Sequence, residues 1–393
     1  MKITAVKCLL LSAPYATPGD AERIYHLRTG MRSASIIKVE TDEGLYGLGE
    51  TYSGVYAPEA VAALVAQFEE CLLGQDASNV VPLWHRMQLS CRYWGRMGLS
   101  QSILGGIEMA LWDLLGKKLD LPVHALLGGK VHDAIKAYAS GGNDKPEDEL
   151  RAEMKGYIQD GFKAVKIRIN NLPKLDDIVS KVAICRDSLG PEIDLSVDAA
   201  QGLARNPWSV NKAIEIADAI TPYRILWLEE PAEVTNYSGF AEIRLRVSIP
   251  VAGGETVTSL TEAEAYINAR ALDLFQPDAT LIGGLTAFRR VADMCQQRQI
   301  RVAVHTWCSG VGVMGNYHAA FASPNCDILE LPNVPNPLRD EFLVEPLNLV
   351  DGAIAAPNSP GLGVTLPPDI EEKYAYQRGT YYKILGSLDF VKG

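Results

Sequence analysis

From about residue 134 onward, short apolar runs alternate with amphipathic stretches along the chain. Eight of the runs have the length of β-strands, namely AIKAYAS, FKAVKIRI, IDLSVDA, ILWLEEP, VAGGE, LDLFQPD, RVAVHT and CDILEL. Helical patterns such as PEDELRAEMKGYIQD and GLTAFRRVADMCQQRQ separate them. Most runs are almost continuously apolar, which is typical of parallel strands that are covered on both faces. Eight such units within about 200 residues predict an α/β fold with a closed (β/α)8-type TIM barrel.

The first 125 residues have a different pattern. KITAVKCLLL, ASIIKVETDEG and LYGLGETY predict strands of a small antiparallel sheet, with TDEG as a hairpin turn. Helical patterns follow at 58–73, 78–90 and 99–118, so this part is expected to be an α+β domain. We therefore predict an α+β domain at 1–125, a barrel domain at 126–335, and a Pro- and Gly-rich segment at 336–393 that packs back on the first domain.

Charge and composition indicate which binding partners and which cellular location the protein is expected to have. The net charge of −11 argues against nucleic acid and against anionic membrane surfaces as partners. It does not argue against an anionic substrate, because a bound cation can dominate the local field. No apolar run reaches the length that spans a bilayer. The seven scattered cysteines, without CxxC spacing, indicate reduced thiols and a cytoplasmic protein.

Three acidic residues each close one of the predicted barrel strands. Asp198, Glu229 and Glu255 lie in SVDAAQ, LWLEEP and VAGGET, 31 and then 26 residues apart. Each interval fits one helix, one strand and two loops, so the carboxylates are expected at the C-terminal ends of successive strands, which meet at one face of a barrel. Three oxygen ligands without thiol or imidazole suit Mg²⁺ better than zinc. We predict one Mg²⁺ per subunit.

Other strand ends contribute polar residues with complementary chemistry. Lys166 and Arg168 lie on one side of their strand, because side chains alternate with a period of two. A divalent cation and a cationic side chain can stabilise the charge that develops when a proton leaves the carbon next to a carboxylate. His305 is the candidate base, and Asp278 on the preceding strand can orient its imidazole. Glu330 closes the eighth strand.

The motifs around these residues resemble those of the enolase superfamily, in its mandelate racemase/muconate lactonizing enzyme branch. The resemblance rests on GIEMALWDLLGKKLDLPVHALLGG before the barrel and on VKIR, SVDAA, LWLEEPA, VAGGET, LFQPDAT, AVHTW and ILEL within it. It covers essentially the whole chain, and it implies that the N-terminal domain caps the barrel. The resemblance further implies that the acidic triad binds Mg²⁺, that Asp278 and His305 form the base dyad, and that Glu330, if protonated, donates a hydrogen bond to the substrate carboxyl group across from Lys166.

One position departs from the pattern of that branch. A second lysine, usually a base on the opposite face of the substrate carbon, is replaced by Arg168, which stays protonated and suits a carboxylate clamp. A single base favours β-elimination. The expected activity is therefore Mg²⁺-dependent dehydration of a sugar acid, an aldonate or aldarate, to a 2-keto-3-deoxy acid. The alternatives are a cycloisomerase that opens a sugar-acid lactone or anhydro ring, a racemase or epimerase, and a non-catalytic barrel.

The resemblance also implies that two loops of the capping domain contact the substrate, here at about 14–32 and 51–57. The candidate substrate-binding residues are Tyr15, Arg23, Tyr52, Arg168 and Trp307. The expected ligand is a small-molecule carboxylate. A homo-oligomer is expected because symmetric assemblies are common among barrels of this kind.

Overall fold

The N-terminal part is an antiparallel sheet followed by helices, in a computed structural model that describes residues 1–15, 30–170, 172, 174–204 and 206–380. Its elements are β1 (Ile3–Pro14), β2 (Met31–Thr41), β3 (Tyr46–Glu50), α1 (Pro58–Glu69), α2 (Val80–Cys91), α3 (Leu99–Leu119) and the short α4 (Val123–Leu126). The predicted hairpin turn is confirmed, since the N–H of Gly44 donates to the carbonyl of Thr41 at 3.1 Å. The helix predicted at 58–73 ends earlier, at Glu69.

Eight parallel strands close into a barrel. The strands are β4 (Ala134–Ser140), β5 (Ala164–Arg168), β6 (Asp194–Asp198), β7 (Ile225–Glu229), β8 (Val251–Gly253), β9 (Leu274–Phe275), β10 (Arg301–Val304) and β11 (Cys326–Pro332). Closure comes from the pairing of β11 with β4, in which Leu329 lies opposite Ala137. The predicted (β/α)8-type barrel is thus confirmed.

Helices cover the outside of the barrel. They are α5 (Glu147–Gln159), α6 (Leu175–Leu189), α7 (Val210–Ile220), α8 (Tyr237–Arg246), α9 (Leu260–Asn268), α10 (Leu285–Gln297) and α11 (Gly310–Phe321). Ser209 and Ser259 cap the N-termini of α7 and α9 by accepting backbone N–H bonds, which explains where these helices begin. None of the helices in the described part of the chain has both the length and the apolarity that a membrane crossing requires.

The barrel interior explains where the polar site forms. Seven inward-facing residues make a buried layer: Tyr138, Ala164, Trp227, Ala252, Leu274, Ala303 and Ile328. Because side chains return to the same face every second residue, the next inward positions toward the C-terminal mouth follow two residues later. Those positions include Ser140, Lys166, Glu229, Gln276, His305 and Glu330. The apolar layer is therefore the floor on which the polar site rests.

The N-terminal sheet packs directly on α3. A Cβ atom added at Gly47 would lie 2.0 Å from the carbonyl oxygen of Ala110, and one at Gly49 would lie 1.9 Å from that of Gly106. Only glycine allows this approach of strand and helix backbones. As a result α3, which was predicted as a helix at 99–118, is buried on nearly all sides.

Buried carboxylates join the N-terminal part to the barrel. Glu108 of α3 accepts hydrogen bonds from the backbone N–H groups of Leu285, at 2.8 Å, and Thr286, at 3.0 Å, in the first turn of α10. Negative charge at a helix N-terminus is stabilising, and the contact also satisfies donors that have no partner within the helix. The capping part is therefore held to the barrel by specific polar contacts as well as by apolar packing.

The C-terminal segment contacts both parts of the protein. It contains α12 (Pro337–Glu341), β12 (Leu349–Val350), β13 (Ala353–Ala355) and α13 (Ile370–Lys373). Strand β13 pairs antiparallel with β4 of the barrel. Near the end of the segment, the carbonyl of Tyr374 accepts a hydrogen bond at 2.9 Å from the N–H of Ser12 in β1. The three-part division at 1–125, 126–335 and 336–393 stays a prediction.

A buried histidine pair predicts acid sensitivity of the fold. The His318 ring on α11 stacks on the His124 ring of α4, with 5.3 Å between the ring centres. Nδ1 of His318 accepts a hydrogen bond from the backbone N–H of His124. Burial, together with His124, lowers the pKa of His318 from 6.5 to about 3. Between about pH 6.5 and pH 3 the folded protein keeps His318 neutral, whereas the unfolded chain binds a proton there. The contribution of His318 to the free energy of unfolding is therefore complete above about pH 6.5 and declines as the pH falls toward 3.

We expect His318→Asn, which keeps an acceptor but removes the titrating group, to flatten the pH dependence of stability. Between pH 7 and pH 5 the wild type should lose roughly 2 kcal/mol more unfolding free energy than the variant. Urea denaturation at the two pH values measures this, with the exposed His85→Asn as control. Equal losses in wild type and His318→Asn would contradict the assignment.

Candidate active site

A buried lysine lies at the centre of the barrel mouth. The Nζ atom of Lys166 is 2.5 Å from Oε1 of Glu229 and 3.1 Å from Oε1 of Glu330, and all three side chains are at most 1% exposed. Burial disfavours the charged ammonium, but Glu229 and Glu330 outweigh it and raise the pKa of Lys166 well above its ordinary value. Lys166 is therefore a permanent cation held between two strand-end carboxylates.

The second oxygen of Glu229 is also fully occupied. Its Oε2 accepts hydrogen bonds from Nε1 of Trp227, at 3.0 Å, and from Nε2 of Gln276, at 2.7 Å. Trp227 lies on the same strand as Glu229, two residues earlier, and Gln276 directly follows β9. Sequence reasoning missed Gln276, although the same two-residue alternation that places Glu229 also points to it.

Asp198 and Glu255 are each close to a basic group of the chain. Oδ2 of Asp198 is 3.4 Å from Nε of Arg168, and the two residues lie opposite each other in the pairing of β5 with β6. Burial and the neighbouring Glu229 raise the pKa of Asp198 to about 7, against the lowering effect of Lys166 and Arg168. Oε2 of Glu255, which lies two residues beyond β8, is 3.8 Å from Nε2 of His305.

The predicted metal ligands are near one another but are not gathered around one point. Among the residues that the structure describes, no three His, Cys, Asp or Glu side chains are arranged to hold a metal ion. The ion pairs explain this, because Glu229 pairs with Lys166 whereas Asp198 pairs with Arg168. The donor set nevertheless suits a hard divalent cation, because it consists of carboxylates and lies beside the buried Glu230, whose oxygens accept no hydrogen bond from the protein. Such a cation would compete with Lys166 and Arg168 for the same oxygens.

The predicted base and its partner are in contact. Nδ1 of His305 is 2.9 Å from Oδ2 of Asp278, and both side chains are buried. Burial lowers the pKa of His305, but Glu255 and the hydrogen bond to Asp278 outweigh it and raise the pKa to about 9. With Nδ1 hydrogen-bonded to Asp278, Nε2 is the nitrogen on the side of Glu255.

Two residues that sequence reasoning missed fix the other oxygen of Asp278. Its Oδ1 accepts hydrogen bonds from the backbone N–H of Thr280 at 2.8 Å, from Oγ1 of Thr280 at 2.6 Å, and from Nδ2 of Asn316 at 2.8 Å. Asn316 lies within α11, where no spacing in the sequence signals a polar role. These donors leave Oδ2 for His305 and so orient the imidazole.

Glu330 accepts hydrogen bonds and is ionised. It receives the Nε1–H of Trp307 at 3.0 Å and the backbone N–H of Thr306 at 2.9 Å. Burial favours the neutral acid, yet Lys166 and His305 lower the pKa of Glu330 to about 2. These neighbours favour the carboxylate form of Glu330 in this structure, and its role as a protonated donor to the substrate stays a prediction.

Three of the predicted substrate-binding side chains lie at the rim of the site. The guanidinium of Arg168 is 4.6 Å from the ring centre of Trp307, and the ring of Tyr52 is 5.7 Å from that of His305 in an edge-on contact. Tyr15 is buried in a cluster with Trp307 rather than on an open loop surface. Arg23 lies outside the described residues.

Arg32 connects the capping part to this rim. It was predicted to lie in a loop, but it belongs to β2. Its guanidinium stacks on the rings of Tyr15, at 4.6 Å, and Tyr52, at 5.3 Å, and donates a hydrogen bond to the carbonyl of Trp307. Cation–π stacking of this kind holds the aromatic side chains in place.

Glu50 holds the 51–57 loop against the barrel. At the end of β3, its carboxylate accepts hydrogen bonds from the N–H of Ser309, at 3.0 Å, and the N–H of Gly312, at 2.9 Å, at the start of α11. Helix α11 begins five residues after His305 in the chain. The loop that carries Tyr52 is thereby fixed next to the predicted base.

Comparison with known proteins agrees with this architecture. Residues 26–128 match the model of the mandelate racemase/muconate lactonizing enzyme N-terminal domain, and residues 149–370 match the enolase C-terminal domain-like model. The chain belongs to this mandelate racemase/muconate lactonizing enzyme family.

The similar proteins include a cycloisomerase, a dehydratase and a racemase. The chain is 32% identical over 381 residues to D-galactarolactone cycloisomerase from Agrobacterium fabrum, covering 94% of this chain and 97% of that protein. It is 31% identical over 355 residues to D-galactonate dehydratase from Ralstonia pickettii, covering 87% and 90%. A crystal structure of a racemase from Streptomyces coelicolor A3(2) with bound magnesium has a TM-score of 0.84 and 29% identity, covering 95% of this chain and 100% of that one.

We expect Glu50→Gln to weaken the attachment of the capping domain of this family member. The glutamine side chain has an NH₂ group in place of one carboxylate oxygen, so one of the backbone N–H groups of Ser309 and Gly312 would face a donor instead of an acceptor. The free energy of unfolding should therefore fall by about 1–3 kcal/mol. Urea denaturation measures the change, and Glu70→Gln on the exposed end of α1 is the matched control. A Glu50→Gln variant as stable as the control would show that this contact does not hold the domain.

Proposed function

We propose that this protein removes the proton next to the carboxylate of a sugar acid and then eliminates the β-oxygen, dehydrating an aldonate or aldarate to a 2-keto-3-deoxy acid. The observation that carries the proposal is the one-sided arrangement of the site. The His305–Asp278 dyad lies on one flank of the buried Lys166 network. The position that would supply a second base is Arg168.

We assign Asp198, Glu229 and Glu255 as the ligands of one Mg²⁺ per subunit. When bound, Mg²⁺ supplies positive charge that stabilises the substrate carboxylate as its negative charge grows during proton removal. Two observations support the assignment. The donors are hard carboxylate oxygens, and a structurally similar racemase contains magnesium.

Glu255 is the charge that most raises the pKa of His305, so a cation held by Glu255 would lower that pKa and leave the imidazole neutral. Neutral His305 then takes the α-proton at Nε2, while its Nδ1–H stays hydrogen-bonded to Asp278. Lys166 binds an oxygen of the substrate carboxylate through its ammonium group, which stays charged because of its acidic neighbours. The C–O bond to the β-hydroxyl then breaks, and the departing oxygen takes the proton from His305 and leaves as water. The enol that remains takes up a proton at carbon 3 and becomes the keto acid.

Arg168 restricts the chemistry to one face of the substrate. Burial lowers the pKa of its guanidinium, but Asp198 and the other acids outweigh it and raise the pKa above the ordinary value, so it cannot act as a base. Stacked on Trp307, it suits the binding of a carboxylate or of hydroxyl groups. Racemisation, which ordinarily uses a base on each face, is accordingly disfavoured.

Cycloisomerisation is the second candidate. The specific observation in its favour is the similarity to D-galactarolactone cycloisomerase over 94% of this chain. The same proton abstraction would start that reaction, but the departing oxygen would stay attached to the carbon skeleton. The product of cycloisomerisation thus keeps the mass of the substrate, whereas dehydration removes one water.

We also propose that the protein is a cytoplasmic homo-oligomer that acts on small-molecule carboxylates. The net charge of −11 supports the absence of nucleic acid and membrane surfaces among its partners.

A library of aldonates, aldarates, their lactones and anhydro sugar acids, incubated with the protein and Mg²⁺, tests the proposed function. We expect turnover of at least one acid to a 2-keto-3-deoxy product, seen by mass spectrometry as the loss of one water. An isomer of unchanged mass would establish the cycloisomerase instead. A silent library together with no Mg²⁺ binding would favour the non-catalytic barrel.

His305→Asn should lower kcat by at least about a thousandfold, because it removes the base while sparing the three acids. Mg²⁺ affinity, measured by calorimetry, should stay within a few-fold of wild type. His132→Asn, just before β4 at the opposite end of the barrel strands, is the control. Substantial turnover by His305→Asn would show that another group is the base.

A further inference from the structure

The connection between α2 and α3 presents several large apolar side chains to solvent. Tyr93 is 98% exposed and Trp94 is 49% exposed, and Met97 and Leu89, the latter in the last turn of α2, are exposed as well. Single apolar side chains are common on protein surfaces, but clusters of them mark contacts with other molecules. Tyrosine, tryptophan and methionine are also enriched at protein–protein interfaces. These four side chains, within nine residues of the chain, therefore indicate a docking surface.

Hydrogen bonds hold the backbone of this connection in place. The carbonyl of Gly95 accepts hydrogen bonds from Oγ of Ser100 and from Nε2 of Gln101, both at 2.7 Å. The N–H of Gly98 donates to Oγ1 of Thr258 in the barrel at 2.8 Å. A surface that is fixed before binding loses less conformational entropy on association than a loose loop does. The exposed aromatic side chains are therefore pre-organised for a partner.

A groove beside the apolar side chains has room for a side chain of that partner. It has a volume of about 320 Å³ and lies between α2 of the capping part and the segments around α9 and α10 of the barrel. Leu89, Leu260 and Ile282 contribute apolar lining, and Leu89 also belongs to the exposed cluster. Interfaces concentrate their binding energy where an anchor side chain of one partner fills a pocket of the other. The groove and the exposed cluster thus form one continuous surface.

The charged side chains of this surface are complementary to a second copy of the same surface. Arg92 and Arg96 line the groove, are exposed, and form no ion pair with any other residue in the described ranges. Across the groove, Glu264 is exposed and equally unpaired within the described part of the chain. It lies one helical turn after Leu260, on the same side of α9. A two-fold axis can therefore bring the arginines of each copy to Glu264 of the other.

We propose that the end of α2, the 92–98 connection and the start of α9 form a two-fold interface between two copies of this chain. The inference goes beyond the proposed reaction and rests on the proposed homo-oligomer, whose contact surface it locates. Two copies with a net charge of −11 repel each other, and Arg92 and Arg96 place cations at the contact. A stable interface covers about 800 Å² on each partner, of which a fully exposed tyrosine can supply about 150–250 Å².

Sedimentation velocity over a dilution series that reaches dissociation of the wild type tests the proposal. We expect wild type to associate as a dimer or an even-numbered oligomer, and Tyr93→Asp to raise the dissociation constant at least about thirtyfold, as the loss of a central interface side chain does. Leu245→Asp is the matched control, because it places the same charge at an exposed leucine on α8. It should associate like wild type, and circular dichroism checks that each variant is folded.

Charge reversal tests the two-fold pairing itself. Arg96→Glu and Glu264→Arg should each weaken association, because each leaves like charges facing across the contact. The double variant exchanges the two charges and should associate more tightly than either single variant. A double variant no tighter than the single ones would overturn the two-fold pairing.

A wild-type oligomer that Tyr93→Asp leaves intact would overturn the inference, and so would equal weakening in Tyr93→Asp and Leu245→Asp. A monomeric wild type would overturn both the inference and the proposed homo-oligomer. Association is measured without substrate, so none of these outcomes bears on the proposed dehydration, which the sugar-acid library tests separately.

Discussion

The structure of this site depends on the contact between the Lys166 ammonium and the carboxylates of Glu229 and Glu330. Five acidic side chains lie at the barrel mouth: Asp198, Glu229, Glu230 and Glu330 are buried, and Glu255 is 18% exposed. So many like charges in one low-dielectric space repel one another, and the two cations that the chain supplies compensate only part of the repulsion. The remaining negative charge explains how a strongly acidic protein can attract a divalent cation and, through it, an anionic substrate.

The rest of the fold holds these charges in position. The next inward residues above the apolar floor of the barrel lie at its mouth, where most of them are buried. Asn316 and Thr280 fix Asp278, and Asp278 orients His305. The hydrogen bonds that Glu50 accepts hold the 51–57 loop of the capping domain against the start of α11. A site built in this way is pre-organised, because its functional side chains are held by neighbours that do not react.

Much of this was predictable because it depends on local patterns. Apolar runs of strand length define the barrel strands, and the polar residue after each run marks the mouth; Lys166, Asp198 and His305 were all found in this way. Two predicted residues, Glu255 and Asp278, lie two and three residues beyond their strands, since β8 and β9 are short. The period-two pattern alone could not show where those strands end.

Features that arise from distant neighbours could not be predicted. Glu108 is an acidic residue within α3, yet it is buried against the N-terminus of α10. Asn316 lies on a helix, and its contact with Asp278 depends on tertiary packing alone. The lowered pKa of Glu330 follows from the nearby charges of Lys166 and His305, which no spacing in the sequence encodes. Burial and electrostatic partners are properties of the folded chain, so charge states are the part of a site that a sequence conveys least.

The most direct measurement of the central claim is the anomalous diffraction of a crystal soaked with Mn²⁺, a redox-stable substitute for Mg²⁺ with a strong anomalous signal. The account predicts one strong peak per subunit at the barrel mouth, ligated by Asp198, Glu229 and Glu255, with Lys166 no longer bound to the Glu229 oxygen that it holds in the metal-free protein. A crystal that binds Mn²⁺ elsewhere, or that keeps the Lys166–Glu229 contact with no peak at the mouth, would contradict it.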